Sequence, residues 1–142
     1  MAEQIHPRVA LALEADKGIL ETFGITVDAA LDGACRLRST VPASLVNAAG
    51  FAHGGLAFAL LDTACAYALG SLETRGVTVN ANTTFVKGAA AGDELEADVS
   101  VVSRGRRVAT LRGEVFLKDN GGERILAAHG SFVFQLIEVK TS

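Results

Sequence analysis

One aspartate stands inside an apolar run. From Leu56 to Leu69, Asp62 is the only side chain charged at neutral pH. Burying an unpaired carboxylate is expensive, so Asp62 must be hydrogen-bonded, protonated or beside a polar cavity. A carboxylate held at the edge of such a cavity can serve as a general base or a nucleophile. A purely packing role, with Asp62 tied to backbone or to the Thr63 hydroxyl, stands equally open on this residue alone. Eight residues upstream, Gly54 and Gly55 follow His53 at the point where an apolar helix would begin. First-turn amides have no intrahelical acceptor and carry the positive end of the helix dipole. They suit an anion, including the oxyanion that forms when a carbonyl is attacked. A tight turn or close helix–sheet packing would also explain the two glycines.

Spacing constrains how these groups can act together. Eight residues of straight helix put Asp62 ~12 Å beyond Gly54 along the axis. A base or nucleophile and an oxyanion donor must each lie ~3 Å from one reacting carbonyl. The Gly54 and Asp62 of one chain cannot both do so. Two antiparallel copies of the helix could, each Gly54 facing the Asp62 of the other copy. Patterning asks for the same partner: a helix apolar on every face must be covered on every face. A homodimer is therefore expected.

The elements that must position these residues can be read from periodicity. Residues 1–23 form an N-terminal segment in which Pro7 to Phe23 reads as a helix closed by Gly24. Ile25 to Val41 reads as two short strands around Asp32-Gly33, a hairpin signal. Pro42 to Ala52 has no clear period and reads as a loop. Gly54 to Gly70, rich in Ala and Leu, reads as the central helix. Beyond Arg75 the chain alternates as strands, with turns at Ala90 to Asp93 and at Asp119-Asn120-Gly121-Gly122. The fold class is α+β, a mostly antiparallel sheet wrapped around one helix.

The 142 residues suit a single domain spanning 1–142. A formal charge of -3 offers no field for nucleic acid. Two cysteines, Cys35 and Cys65, and three histidines show no zinc spacing, and no metal is expected. The thiols read as buried and free, which fits a reducing compartment. The longest apolar run, Leu56 to Leu61, is too short to span a bilayer, so no membrane partner and a cytoplasmic location are expected.

Asn47-x-x-Gly50-x-x-His53-Gly54-Gly55 followed by Asp62-Thr63-Ala64 resembles the phenylacetyl-CoA (PaaI-type) thioesterases of the hotdog superfamily. Gly76-Val77-Thr78-Val79-Asn80, Asn82-Thr83-Thr84-Phe85 and Ala91-Gly92-Asp93-Glu94-Leu95 extend the likeness over roughly residues 20 to 135. The resemblance implies dimers with a shared sheet, often paired into tetramers, and hydrolysis of an acyl-CoA, coenzyme A being part of the substrate and no cofactor being needed. It implies that Asp62 is the base or nucleophile and Gly54 the oxyanion amide. It implies that Asn47 orients the thioester or water, that His53 stands near the thioester, and that Thr78 occupies the place of a water-holding hydroxyl. Gly55, Thr63, Phe51 and Asn80 are the candidate substrate contacts, with core packing the alternative for Phe51.

A ligand with phosphates needs a local basic cluster. Arg104-Gly105-Arg106-Arg107 is the densest, in a strand-to-strand turn, with Lys87 as a second candidate. An ordinary solvated turn is the alternative. Two rival activities remain: a hotdog hydratase, which would pair a histidine with an acid, and a non-catalytic acyl-CoA binder, which needs no carboxylate at the carbonyl.

Overall fold

Ala and Leu dominate Gly54–Gly70, and these residues form one uninterrupted helix, α3, of 17 residues, about 25 Å long. The computed structural model describes residues 4–138. Before α3 come α1 (Pro7–Ala15), α2 (Lys17–Thr22), β1 (Ile25–Leu31), β2 (Ala34–Thr40) and a short 3-10 turn at Ala43–Leu45. After it come β3 (Arg75–Phe85), β4 (Glu94–Arg104), β5 (Val108–Lys118) and β6 (Arg124–Ile137). The six strands make one antiparallel sheet in the order β1-β2-β4-β5-β6-β3. This is the α+β arrangement expected, with α3 packed on the concave face.

The core lies between α3 and the inward-facing residues of the sheet. Leu56, Leu60, Leu61, Ala64, Cys65, Ala68 and Leu69 of the helix meet Leu37, Ala97, Leu111, Val115 and Phe132 of the strands, all fully or almost fully buried. Gly113 permits the closest approach, since a Cβ there would stand 2.9 Å from Leu61 Cδ2. Both cysteines are buried and free. Burial pushes the Cys35 thiol up to about 12 and raises Cys65 further. Thiols held protonated in this way are not nucleophiles.

The N-terminal helix departs from its expected span. Residues 1–3 lie outside the described residues, and Pro7 to Phe23 is two helices rather than one. The break falls at Asp16, whose carboxylate accepts a 2.7 Å hydrogen bond from Tyr67 Oη on α3. That contact is 51 residues away in sequence, and periodicity within the segment carries no trace of it.

The outer face of the sheet is laced with charge. Asp98 accepts from Arg36 and Arg124, while Glu96, only 6% exposed, lies 3.0 Å from Arg124 and 3.2 Å from Lys118. Burial alone would raise the Asp98 carboxyl, but the two arginines outweigh it and hold it below the usual range. The uncovered apolar surface lies elsewhere. Strand β3 is an edge strand of eleven residues with Val77 and Val79 more than half exposed. The adjacent stripe of α3, through Gly55, Phe58 and Ala66, is open as well. Strand β3 thus presents a long edge without Pro or Lys beside an open helix face.

Candidate active site

His53 begins the site by capping α3. Its backbone is extended, and its Nδ1 accepts a 2.8 Å hydrogen bond from Gly55 N–H. The imidazole proton then sits on Nε2. This assigns His53 a role that spacing did not disclose: its side chain consumes one first-turn amide. A Cβ on Gly55 would lie 2.8 Å from His53 Nδ1, so the cap alone explains that glycine. Gly55 N–H is thereby engaged in the cap.

Gly54 is different. Its N–H makes no hydrogen bond among the described residues. A Cβ on Gly54 would meet only the Phe85 ring, at an ordinary 3.4 Å. Packing within the chain therefore leaves room for a side chain at this position. The free amide stands at the positive end of α3.

Asp62 lies two turns further along, half-buried on the open face with Phe58 and Ala66. Thr78 Oγ1 donates to Asp62 Oδ1 at 2.6 Å. The second carboxylate oxygen has no partner among the described residues. Thr63, the local alternative, makes no such bond, because the next residue on a helix points about 100° away. Strand β3 brings Thr78 to the carboxylate with help from a bulge between Thr78 and Asn80, where Val79 is the extra residue. Beyond the bulge, Asn80 is exposed on the edge strand.

Asn47 folds the loop that leads into the site. Its Oδ1 accepts from Ala49 N–H at 3.0 Å and Phe51 N–H at 3.1 Å, folding the loop that leads into α3. Only its Nδ2 is left for a ligand. Phe51 packs on Gly88, where a Cβ would lie 2.8 Å from the ring, and stays 53% exposed. The aromatic ring that covers Gly54 is Phe85, which sequence reasoning missed. The signal was the strand face of Ala81, Thr83 and Phe85 running back along α3.

The four basic residues are not brought together within one chain. Arg104 donates to Leu72 O and Thr74 Oγ1, pinning the end of β4 to the turn after α3. The side chains of Arg106 and Arg107 are exposed and have no partner among the described residues. All three lie at the C-terminal end of α3, whereas Lys87 stands beside Gly54 at its start. The remaining histidines are committed elsewhere. His6 caps α1, and His129 pairs in register with Glu114 on the exposed side of the sheet.

The arrangement matches a known family. The family model of the thioesterase superfamily matches residues 49–123, the stretch holding His53, Gly54, Asp62 and Thr78. The chain belongs to the thioesterase superfamily. Acyl-coenzyme A thioesterase PaaI of Escherichia coli is 29% identical over 106 residues, covering 75% of this chain and 76% of that protein. Its structure superposes with a TM-score of 0.81 at 26% identity, covering 91% of each chain. The phenylacetic acid degradation protein PaaI of Thermus thermophilus gives a TM-score of 0.76 at 28% identity, covering 84% of this chain and 99% of that one. A protein of Archaeoglobus fulgidus is 31% identical over 100 residues, 70% of this chain but only 64% of its own length. Within the superfamily, the chain is thus a hotdog protein of the PaaI type. No helix among the described residues is long and apolar enough to cross a membrane.

Proposed function

We propose that this protein is an acyl-CoA thioesterase whose two active sites are each shared between two copies of the chain. The observation that carries the reading is the pairing of a free Gly54 amide with an Asp62 carboxylate on one open helix face. The two groups are ~12 Å apart along the axis, too far to serve one carbonyl within one chain. A second copy joined along the β3 edge, with its α3 antiparallel, supplies Asp62 to the first copy's Gly54 and the reverse. The same pairing covers Phe58, Val77 and Val79.

The reaction follows from these two groups. Gly54 N–H takes the developing negative charge of the thioester oxygen. The partner subunit's Asp62 removes a proton from water as the water oxygen bonds to the carbonyl carbon. The C–S bond then breaks, the proton passes to the departing thiolate, and acid and CoA leave. Direct attack by Asp62, with an anhydride hydrolysed afterwards, needs the same placement. Thr78 holds one carboxylate oxygen and leaves the other for the reaction. In the antiparallel pair, Arg106 and Arg107 of one copy come to the same end as the other copy's Gly54 and Lys87, where CoA phosphates would find them.

Two rivals fare worse. A hydratase would pair a histidine with an acid, but no histidine hydrogen-bonds Asp62 within one chain, and His53, which in the antiparallel pair comes near the partner's Asp62, has its Nδ1 committed to the helix cap. A binder without turnover has no use for a carboxylate tethered beside the carbonyl site. Purified protein is expected to release free thiol from members of a panel of phenylacetyl-CoA, hydroxylated benzoyl-CoA and hexanoyl- to dodecanoyl-CoA. Binding of these esters with no thiol released from any would overturn the reading.

A further inference from the structure

Phe85 and Thr78 mark the two halves of the site on strand β3. A Cβ on Gly54 would stand 3.4 Å from the Phe85 ring, and Thr78 Oγ1 holds Asp62 Oδ1 at 2.6 Å. A site shared between two copies therefore needs Phe85 of one β3 opposite the partner's Thr78. We infer that the copies pair in a single register, with the twofold axis beside Asn82. Asn82 then faces the partner's Asn82, and Thr84 faces the partner's Asn80. The inference rests on the shared-site reading and adds the register that such a site demands.

The bulge makes this register possible. Thr78 and Phe85 are seven residues apart on β3, but their partners on β6, Phe134 and Ala128, are six apart. Val79 takes up the extra residue. An even number of ladder steps puts Thr78 and Phe85 on one face of the sheet, toward α3. It also puts a residue at the midpoint, and that residue is Asn82, three steps from each end. Without the bulge the two side chains would point to opposite faces, and no antiparallel pairing would bring them together.

The backbone of the edge fits a second copy at this midpoint. Val86 N–H donates to Ala127 O of β6, and alternation turns the amides of Thr84 and Asn82 the same way. Ala81 and Thr83 turn theirs to the open edge. In the inferred register Ala81 and the partner's Thr83 stand directly opposite and exchange both ladder bonds. Asn82 and the partner's Asn82 form the closer, non-hydrogen-bonded kind of pair. Asn80, Asn82 and Thr84 are exposed, on the face away from α3, where amide meets amide and hydroxyl meets amide across the axis. Residues 76–86 carry no charge, so self-pairing sets no like charges opposite one another. The next register that keeps the faces moves the partner's Thr78 by two residues, ~7 Å, which takes the partner's Asp62 out of reach of the carbonyl.

Single cysteines at Asn80, Ala81, Asn82, Thr83 and Thr84 locate the axis, since Cys35 and Cys65 are buried. A close antiparallel pair sets Cα atoms ~4.5 Å apart, within disulfide range, whereas Asn80 and the partner's Asn80 are then four steps, ~13 Å, apart. Under mild oxidation Asn82→Cys is expected to form the inter-subunit disulfide at least ~10-fold faster than the other four variants. Asn80→Cys and Thr84→Cys, co-expressed, are expected to cross-link with each other and not with themselves. Fastest cross-linking at another position would overturn the register. No cross-link at any of the five would overturn it too and assign the β3 edge to some other partner. The oxidised Asn82→Cys dimer is expected to hydrolyse acyl-CoA as fast as the reduced one. A loss on oxidation that reductant restores would show that the productive register is a different one. Cross-linking at Asn82 in a protein that hydrolyses no ester would defeat the thioesterase reading and leave the register standing.

Discussion

Asp62→Asn is expected to cut thioester hydrolysis by roughly 10²–10⁴-fold while leaving the fold intact. Asparagine keeps the size of the side chain, and its Oδ1 can still accept the 2.6 Å bond from Thr78 Oγ1. What is lost is the charge, and with it the ability to take a proton from water or to attack. The measurement is free-thiol release at saturating and sub-saturating acyl-CoA, with circular dichroism to show the helix unchanged. A fall in kcat with little change in KM is the expected signature, because the carboxylate is needed when charge develops rather than when substrate binds. Full activity in pure Asp62→Asn protein would remove this residue from the mechanism.

Gly54→Pro addresses the other half of the site. Proline deletes the N–H and nothing else that the helix requires. Position 54 is the first residue of α3, where an amide has no intrahelical acceptor and proline is well tolerated. His53 before it is already extended, the conformation a following proline demands. A side-chain carbon at position 54 meets only the Phe85 ring, at an ordinary distance. Loss of one oxyanion donor is expected to lower kcat by about 10²–10³-fold. Gly54→Ala is the control: it retains the N–H, and any loss it causes measures crowding by the methyl group alone. Equal loss in both variants would show that space, and not the amide, is what Gly54 provides.

Much of the scaffold was legible in sequence because α3 is so uniform. Ala and Leu over seventeen residues leave no strand alternative, and the alternating stretches after Arg75 became β3 to β6. The position of β3 at the sheet edge was not legible, since an edge strand and a central strand can alternate alike. Yet that position exposes Val77 and Val79 and leaves one side of β3 unpaired in the sheet. The partner of Asp62 escaped too, because Thr63 is adjacent in sequence while Thr78 is adjacent in space, placed by a bulge that alternation cannot reveal. Asn47 and His53 were visible as polar residues at suggestive spacing. Their observed work is local: Asn47 Oδ1 folds the entry loop, and His53 caps the helix. Position in the helix alone does not separate Gly54 from Gly55; the atoms around each distinguish a glycine whose amide joins the cap from one whose amide is left free.

The central claim is that Gly54 and Asp62 of different chains make one site. Co-refolding or co-expressing Asp62→Asn with Gly54→Pro tests it most directly. In a mixed dimer one site joins an intact Gly54 to an intact Asp62, and the other joins both defects. Random pairing then restores roughly a quarter of the wild-type activity per chain from two nearly inactive proteins. Activity that stays at the level of the separate variants, in a sample shown to contain mixed dimers, would contradict the shared site.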